Sequence, residues 1–462
     1  MEKKKITKLI IFAVMSVLGV VIAFLPPPET LGVEAMRFLG IFIWWIAMMC
    51  LELIPTYMSS LAACALCVAA GAGTPAQAFG AFGSSTCWLL IGAFGLAGGL
   101  GNSGFMKRLA LNVMRLFPGS YKGQVAGMAV ASLVVAPCIP STAAKCSILV
   151  PLAGVVSDEL GYAPHSKGTV GLFSVTQMIT NFAGVMFLTG GLIVPSVLAV
   201  SGASMTWFEW FRTFLPWGIV MVTLILVFNI FYFNPKKEGV DSKLDKEVLK
   251  QKCAELGPMS KQEKIALGVL VVTILLWVTE GSLHSIPTFV VALGAWIVLT
   301  AAGLFSYSDF CNKILWSIYV LVGAILGMLT MISTTGVSSW LASLVAPAVS
   351  SVGNQSVILL LVIIVIATLA MFALVNSMVT GALFVTLLAG CGIDPVIIAF
   401  VTFMAASVYV LNFQQVTVIS ALGVSQGRVE HKDIVPTAWA YIVIQTIAVL
   451  VSIPWWNMLG LM

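Results

Sequence analysis

Apolar positions in this chain come in long unbroken runs, not in stripes of three- or four-residue spacing. Leu9–Leu25, Leu215–Phe233 and Val357–Leu374 carry no charge, and each approaches the roughly 17–25 residues that cross a bilayer. A surface helix of a soluble domain would interrupt such a run with polar residues in every turn. Further apolar segments bring the expectation to about eleven transmembrane helices. The first run follows Lys3, Lys4, Lys5 and Lys8. It is too long for a signal peptide, and no small-residue cleavage site precedes "LPPPE", so it predicts a first helix with a cytoplasmic N-terminus. The one long polar segment, residues 234–264, is lysine-rich and of mixed charge. It predicts a cytoplasmic linker between an N-terminal unit, 1–233, and a C-terminal unit, 265–462.

Composition agrees. Hydrophobic residues make up 60% of the chain, charged residues 9%, and mean hydropathy is +1.06; a soluble domain has about 25% charged residues. The fold class is all-α and polytopic in the membrane. The net charge of +5 reflects cytoplasmic lysines and predicts no nucleic-acid partner. The nine cysteines are scattered through apolar segments; Cys64 and Cys67 share a helix face without a nearby third ligand, which predicts packing and no metal. His165, His284 and His431 fall in predicted loops and receive no role. Glu52 and Glu280 precede helix breaks and read as interfacial. No span holds the nucleophile–base pair or His/Asp/Glu constellation of an enzyme.

The two units resemble each other. "GFMKRLA" at Gly104 matches "GVSSWLA" at Gly336, "PSTAAKCSILVP" at Pro140 matches "LVNSMVTGALFV" at Leu374, and Asn181 matches Asn412. The three offsets are all roughly 230 residues and keep the same order, as an internal repeat requires. Lys107, Arg108, Arg115 and Lys122 follow Gly104, whereas the stretch from Gly336 to Asn354 has no charge. By the positive-inside rule the copies face opposite sides. Arg428 and Lys432 near the end of the second copy, against none near Ser196–Thr206 in the first, reverse the asymmetry in the same sense. Two inverted-topology repeats characterise secondary transporters.

Polar residues interrupt the apolar runs at matched places. Pro140 ends one helix and Ser141 caps the next at Thr142. The short arms on either side predict a re-entrant hairpin near 124–160 that opens to the cytoplasm. Its counterpart near 356–392 carries Val375, Asn376, Ser377 and Thr380 at its tip. Each unit then has a broken helix: "FLTGGLIVPS" with Thr189, Gly190, Gly191 and Pro195, and "LNFQQVTVIS" with Asn412, Gln414, Gln415 and Thr417. Helix N-termini aimed at a midplane cavity suit a carboxylate; the same hydroxyls and amides also serve as glue between helices.

With these features the chain resembles the divalent anion/sodium symporter superfamily (DASS) over nearly its whole length. The paired tips, "WLLIGAFGLAGGLGNSGFMKRLA", "MFLTGG", "CGIDPVIIAF" and "IPWWNMLGL" carry the resemblance, the last three being most similar to its citrate/succinate antiporter branch. The resemblance implies a homodimer that moves dicarboxylates or tricarboxylates by an elevator movement. It also implies Ser-Asn-Thr triplets at both tips that contact substrate and, in symporters, sodium. Here the triplets read Ser141-Thr142-Ala143 and Val375-Asn376-Ser377. Carried over residue by residue, Ser141, Thr142, Asn376 and Ser377 are the binding candidates, joined by Thr189, Gly190, Thr380, Asn412 and Gln414; a sodium ion as coupling ion would sit near Ser141 and Asn376. No other cofactor is implied. The family's sodium-symporter Thr-Pro-Pro is absent.

Lys145 lies one turn beyond Ser141, on the same helix face. A tethered ammonium there would neutralise a dianion as bound sodium does in a symporter. The alternative is that it snorkels along the hairpin to water. These residues predict an inner-membrane carrier of small organic anions, an exchanger if Lys145 replaces sodium.

Overall fold

The computed structural model describes the chain except for residues 1, 29, 52, 241–243, 245, 342, 345–355, 374–376, 389–390 and 412–413. The first unit runs α1 Glu2–Phe24, α2 Val33–Leu51, α3 Thr56–Ala69, α4 Pro75–Phe79, α5 Ser85–Asn102, α6 Phe105–Arg115, α7 Tyr121–Val135, α8 Thr142–Glu159, α9 Lys167–Asn181, α10 Ile193–Ser201 and α11 Trp207–Tyr232. After α12 Lys246–Glu255 the second unit runs α13 Lys261–Thr279, α14 Thr288–Ala301, α15 Tyr307–Asn312, α16 Trp316–Thr334, α17 Ser356–Ala373, α18 Ser377–Leu387, α19 Pro395–Ala405, α20 Val416–Val424 and α21 His431–Met458. Among the described residues six helical segments are long and apolar enough to cross a membrane, and the remaining apolar helices are shorter. The protein is a polytopic, all-α membrane protein.

The elements recur in order. α2 and α13 have 19 residues each, α3 and α14 have 14 each, and α10 and α20 have 9 each. The local chemistry that ends them recurs too. Pro55 and Pro287 stand before α3 and α14, where a missing N–H is harmless. Thr74 with Gln77, and Ser306 with Asp309, form capping boxes on α4 and α15. Gly104 and Gly336 take φ of +77° and +76° just past α5 and α16, a left-handed stop that only glycine adopts cheaply.

The repeats interlock. α5 packs on α14 of the other unit, and α16, its counterpart, packs on α3, the counterpart of α14. Glycines bring neighbours close on both α5 and α16: Gly92 and Gly95 lie against Ala292 and the Trp296 ring of α14, and Gly323 and Gly327 lie against the Phe82 ring, in the turn after α4, and the Ala78 carbonyl of α4. The inner elements cross in the same way. α10 packs on α18 and α19, while α20 packs on α8 and α9. α11 and α21 lie together, joined where Trp455 and Trp456 donate indole N–H groups to the carbonyls of Arg212 and Thr213. α1 stands apart on α2, with Gly19 and Gly40 backbone to backbone.

The segment between the units is folded onto the first. Leu244 donates its N–H to Gly119 at 2.8 Å. The Arg108 guanidinium pairs with Glu263 at 2.7 Å and donates to the carbonyls of Leu256 and Gly257 past α12. The second unit's first helix starts at Lys261 with a Ser260 cap, so its first turn lies inside the polar segment. The cysteines are all free thiols, and Cys64 and Cys67 are packed in the core. Glu280 accepts the N–H and hydroxyl of Thr288 and so fixes the start of α14; Glu52 lies outside the described residues.

Candidate substrate-binding site

α7 and α8 form the first hairpin. α7 gives way at Val135 to a 3-10 turn, Ala136–Cys138, and Ile139 is extended. Ser141, with φ −75° and ψ 110°, caps α8: its hydroxyl accepts the Ala144 N–H at 3.3 Å. Thr142 follows as the buried first residue of α8. At the other end the rings of Tyr121 and Tyr162 meet edge to face at 6.2 Å. Both arms therefore return to one base. There Asp158 accepts Arg428 at 2.7 Å and Asp433 meets His165 Nδ1 at 2.7 Å, which ties the base to the loop before α21 and to the first turn of α21. His431 opens α21 and its Nε2 contacts the Tyr409 carbonyl at 3.0 Å.

The first broken helix starts earlier than its glycine pair suggests. α9 stops at Asn181, a 3-10 turn covers Ala183–Met186, and α10 begins at Ile193. The unwound stretch folds back over the hairpin tip. Thr189 donates its hydroxyl to the Pro137 carbonyl at 2.7 Å, and Trp210 donates Nε1–H to the Val185 carbonyl at 2.9 Å. Gly190 has no room for a side chain, since a Cβ would stand 1.8 Å from the Gly184 carbonyl oxygen.

Lys145 completes this half of the site. It is 0% exposed and donates from Nζ to the Gly190 carbonyl at 2.5 Å. It does not snorkel. No carboxylate pairs with it among the described residues, so one positive charge is held at the hairpin tip by a backbone dipole alone. An anion arriving here would meet that ammonium and the N-terminus of α8 together. Ser141, Thr142, Lys145, Thr189 and Gly190 are thus brought together through the hairpin and its neighbouring break.

The second half is described in part. Asn376 and Asn412 lie outside the described residues. Ser377 is the first residue of α18 and Thr380 is buried one turn further on. Gln414 is buried between the end of α17 and the break; it accepts the Leu411 N–H at 2.8 Å and donates to the Met371 carbonyl at 3.2 Å. The two breaks adjoin: Phe182, just past α9, stacks on Tyr409 at 5.6 Å and lies 4.1 Å from the Tyr441 ring. The sequence reading missed Gly184 and Phe182 as members of this region. Gly184 alone carried a signal, as a small residue two positions past Phe182.

The model of the sodium:sulfate symporter transmembrane region matches residues 3–462. The chain belongs to this family. The family is one of transporters, and the chain is a multi-pass membrane transport protein and not an enzyme. Relatives include the "Dicarboxylate transporter 1, chloroplastic" of Spinacia oleracea, 26% identical over 72% of this chain and 60% of that protein. The "Putative malate transporter YflS" of Bacillus subtilis is 25% identical over 75% of this chain and 74% of its own. The "Inner membrane protein YbhI" of Escherichia coli is 28% identical over 74% and 73%. The chain spans about 60% of the length of the spinach protein it matches. Among solved structures the Alcanivorax borkumensis YdaH transporter superposes with a TM-score of 0.59 at 14% identity over 99% of this chain and 98% of that one. That likeness concerns the fold alone.

Proposed function

We propose that the chain is a secondary active carrier of small organic dianions, C4-dicarboxylates such as malate, across a bacterial inner membrane, and that it works as an exchanger. The observation that carries this reading is Lys145, a buried and carboxylate-free ammonium at a hairpin tip. The relatives named as dicarboxylate and malate transporters support the substrate class. The interlocked units support an elevator, in which the hairpins, breaks and α11 and α21 move as one body past α2–α5 and α13–α16. We place the N-terminus in the cytoplasm on its lysines and read the carrier as a homodimer on the family likeness. A sodium-coupled symporter is the second reading, favoured by the family's own description.

Thr142→Val and Asn376→Leu should each weaken malate binding to the purified protein by about 1–3 kcal/mol, the penalty for a buried polar partner left unpaired. Titration calorimetry that finds unchanged affinity in both would return these residues to a packing role. In a cysteine-free background, Ser141→Cys should react with a membrane-impermeant thiol reagent from the cytoplasmic side and Asn376→Cys from outside. Labelling of both from one face alone would rule out the inverted arrangement.

A further inference from the structure

α7, α9 and α11 carry buried polar side chains that have no hydrogen-bond partner among the described residues. On α9 these are the hydroxyls of Ser174 and Thr180, both ends of the Gln177 amide, and the amide nitrogen of Asn181. Gln124 Oε1 and Ser132 Oγ face the same situation on α7, and Asn229 Oδ1 on α11. All are buried, six of them completely.

Two close approaches set the register. A Cβ on Gly171 would fall on the Tyr121 hydroxyl, and one on Gly184 would stand 3.2 Å from the Ala136 Cβ. α7 and α9 therefore run parallel from base to tip. Counting along that register brings Gln124 about level with Ser174, and Ser132 about level with Thr180 and Asn181. Ser174, Gln177 and Asn181 share one helix face. Asn229 on α11 lies beside α9, its amide nitrogen 3.9 Å from Met178 Sδ. One turn above Ser132 and Asn181 lie Ala136 and Gly184, and a Cβ on Gly184 would be 3.5 Å from Lys145 Nζ. The seam leads from the hairpin base to the ammonium.

Leaving one such group unsatisfied costs about 1–3 kcal/mol, and a row of them is untenable in a dry interior. A bound cation would satisfy oxygens only, whereas Gln177 and Asn181 also present unpartnered N–H donors. Water serves both kinds, at about three hydrogen bonds per buried molecule.

We propose that this seam holds a chain of internal waters through which Lys145 exchanges its proton with the solution at the hairpin base, so that the empty carrier can return as a neutral amine. The ammonium N–H bond breaks, its electron pair stays on nitrogen, and the proton passes to water and along the chain; reloading reverses the step. The titratable side chains that couple to Lys145 are the thiols of Cys138 and Cys146. Of the helices packed on α8, α6 carries Lys107, Arg108 and Arg115, α7 begins with Tyr121 and Lys122, and α9 begins with Lys167 at the base end; α20 carries no titratable side chain, and none of the four has a carboxylate. The transport consequence rests on the proposed role of Lys145; the water chain itself does not.

In proteoliposomes loaded with labelled malate, net efflux into malate-free buffer should rise with pH between 6 and 8, by at most about tenfold per unit for one proton released. Exchange against external malate should stay flat. Gln177→Leu, and the milder Ser174→Ala, should flatten the net-efflux profile while exchange persists. Net efflux independent of pH, or an unchanged pH slope in both variants, overturns the proposal. If the wild type exchanges no malate, the reading of Lys145 as the dianion's partner fails, and the seam is judged by high-resolution cryo-EM density. Ordered waters bridging Gln177, Ser132 and Asn181 support it; a dry seam refutes it.

Discussion

Lys145→Ala should lower the rate of malate exchange by roughly a hundredfold or more. A charge at the bilayer centre costs about 2.5–3.5 kcal/mol on insertion scales, and this lysine is the positive charge buried at the tip of the first hairpin. Without it, a dianion in transit has one more uncompensated charge, and each 1.4 kcal/mol or so is a factor of ten. Lys145→Arg keeps the charge, but its planar fork does not reproduce a single Nζ on the Gly190 carbonyl. It should retain part of the activity. Counterflow of labelled malate measures both; full exchange by the alanine variant would remove Lys145 from the mechanism.

Gly190→Ala is the second large effect. The added Cβ would stand 1.8 Å from the Gly184 oxygen and 2.8 Å from its carbonyl carbon. Both partners are backbone, so neither can swing away, and overpacking of this kind costs about 1–3 kcal/mol or more. The shift would also move the carbonyl that holds Lys145. Exchange should be lost and the melting temperature of the purified protein should fall. Gly191→Ala is the control: its Cβ would meet one side-chain methyl, Val185 Cγ1, at 3.3 Å, and should leave both measurements near wild type. Equal behaviour of the two variants would contradict the close approach at Gly190.

The first tip and the existence of the first break were legible in the sequence because polar residues, Pro and Gly stand out in apolar runs. Ser141 does cap the helix that starts at Thr142, and Lys145 does share its turn. Whether Lys145 reached water or stayed inside was not legible, since both readings use the same four methylenes; the fold over the tip by residues 182–192 decided it. The true start of that break was hidden because "TNFAGVM" has ordinary helical composition, and what unwinds it is tertiary: Trp210 takes the Val185 carbonyl, and Gly184 lies against Ala136 and Gly190. The exchange of partners between α5 with α14 and α3 with α16 was invisible for the same reason. Gly92 and Gly95 read as permissive helix residues until Trp296 is seen across from them. The Arg108–Glu263 pair, between residues far apart in sequence, likewise had no local signature.

The central claim is that a fixed cation, Lys145, stands in for sodium and makes the carrier an exchanger. Malate transport into proteoliposomes, with and without internal malate and with and without an inward sodium gradient, tests it most directly. Uptake should be rapid when malate is inside, slow when it is not, and unresponsive to sodium in both cases. Strong sodium-driven uptake into vesicles empty of malate would contradict it.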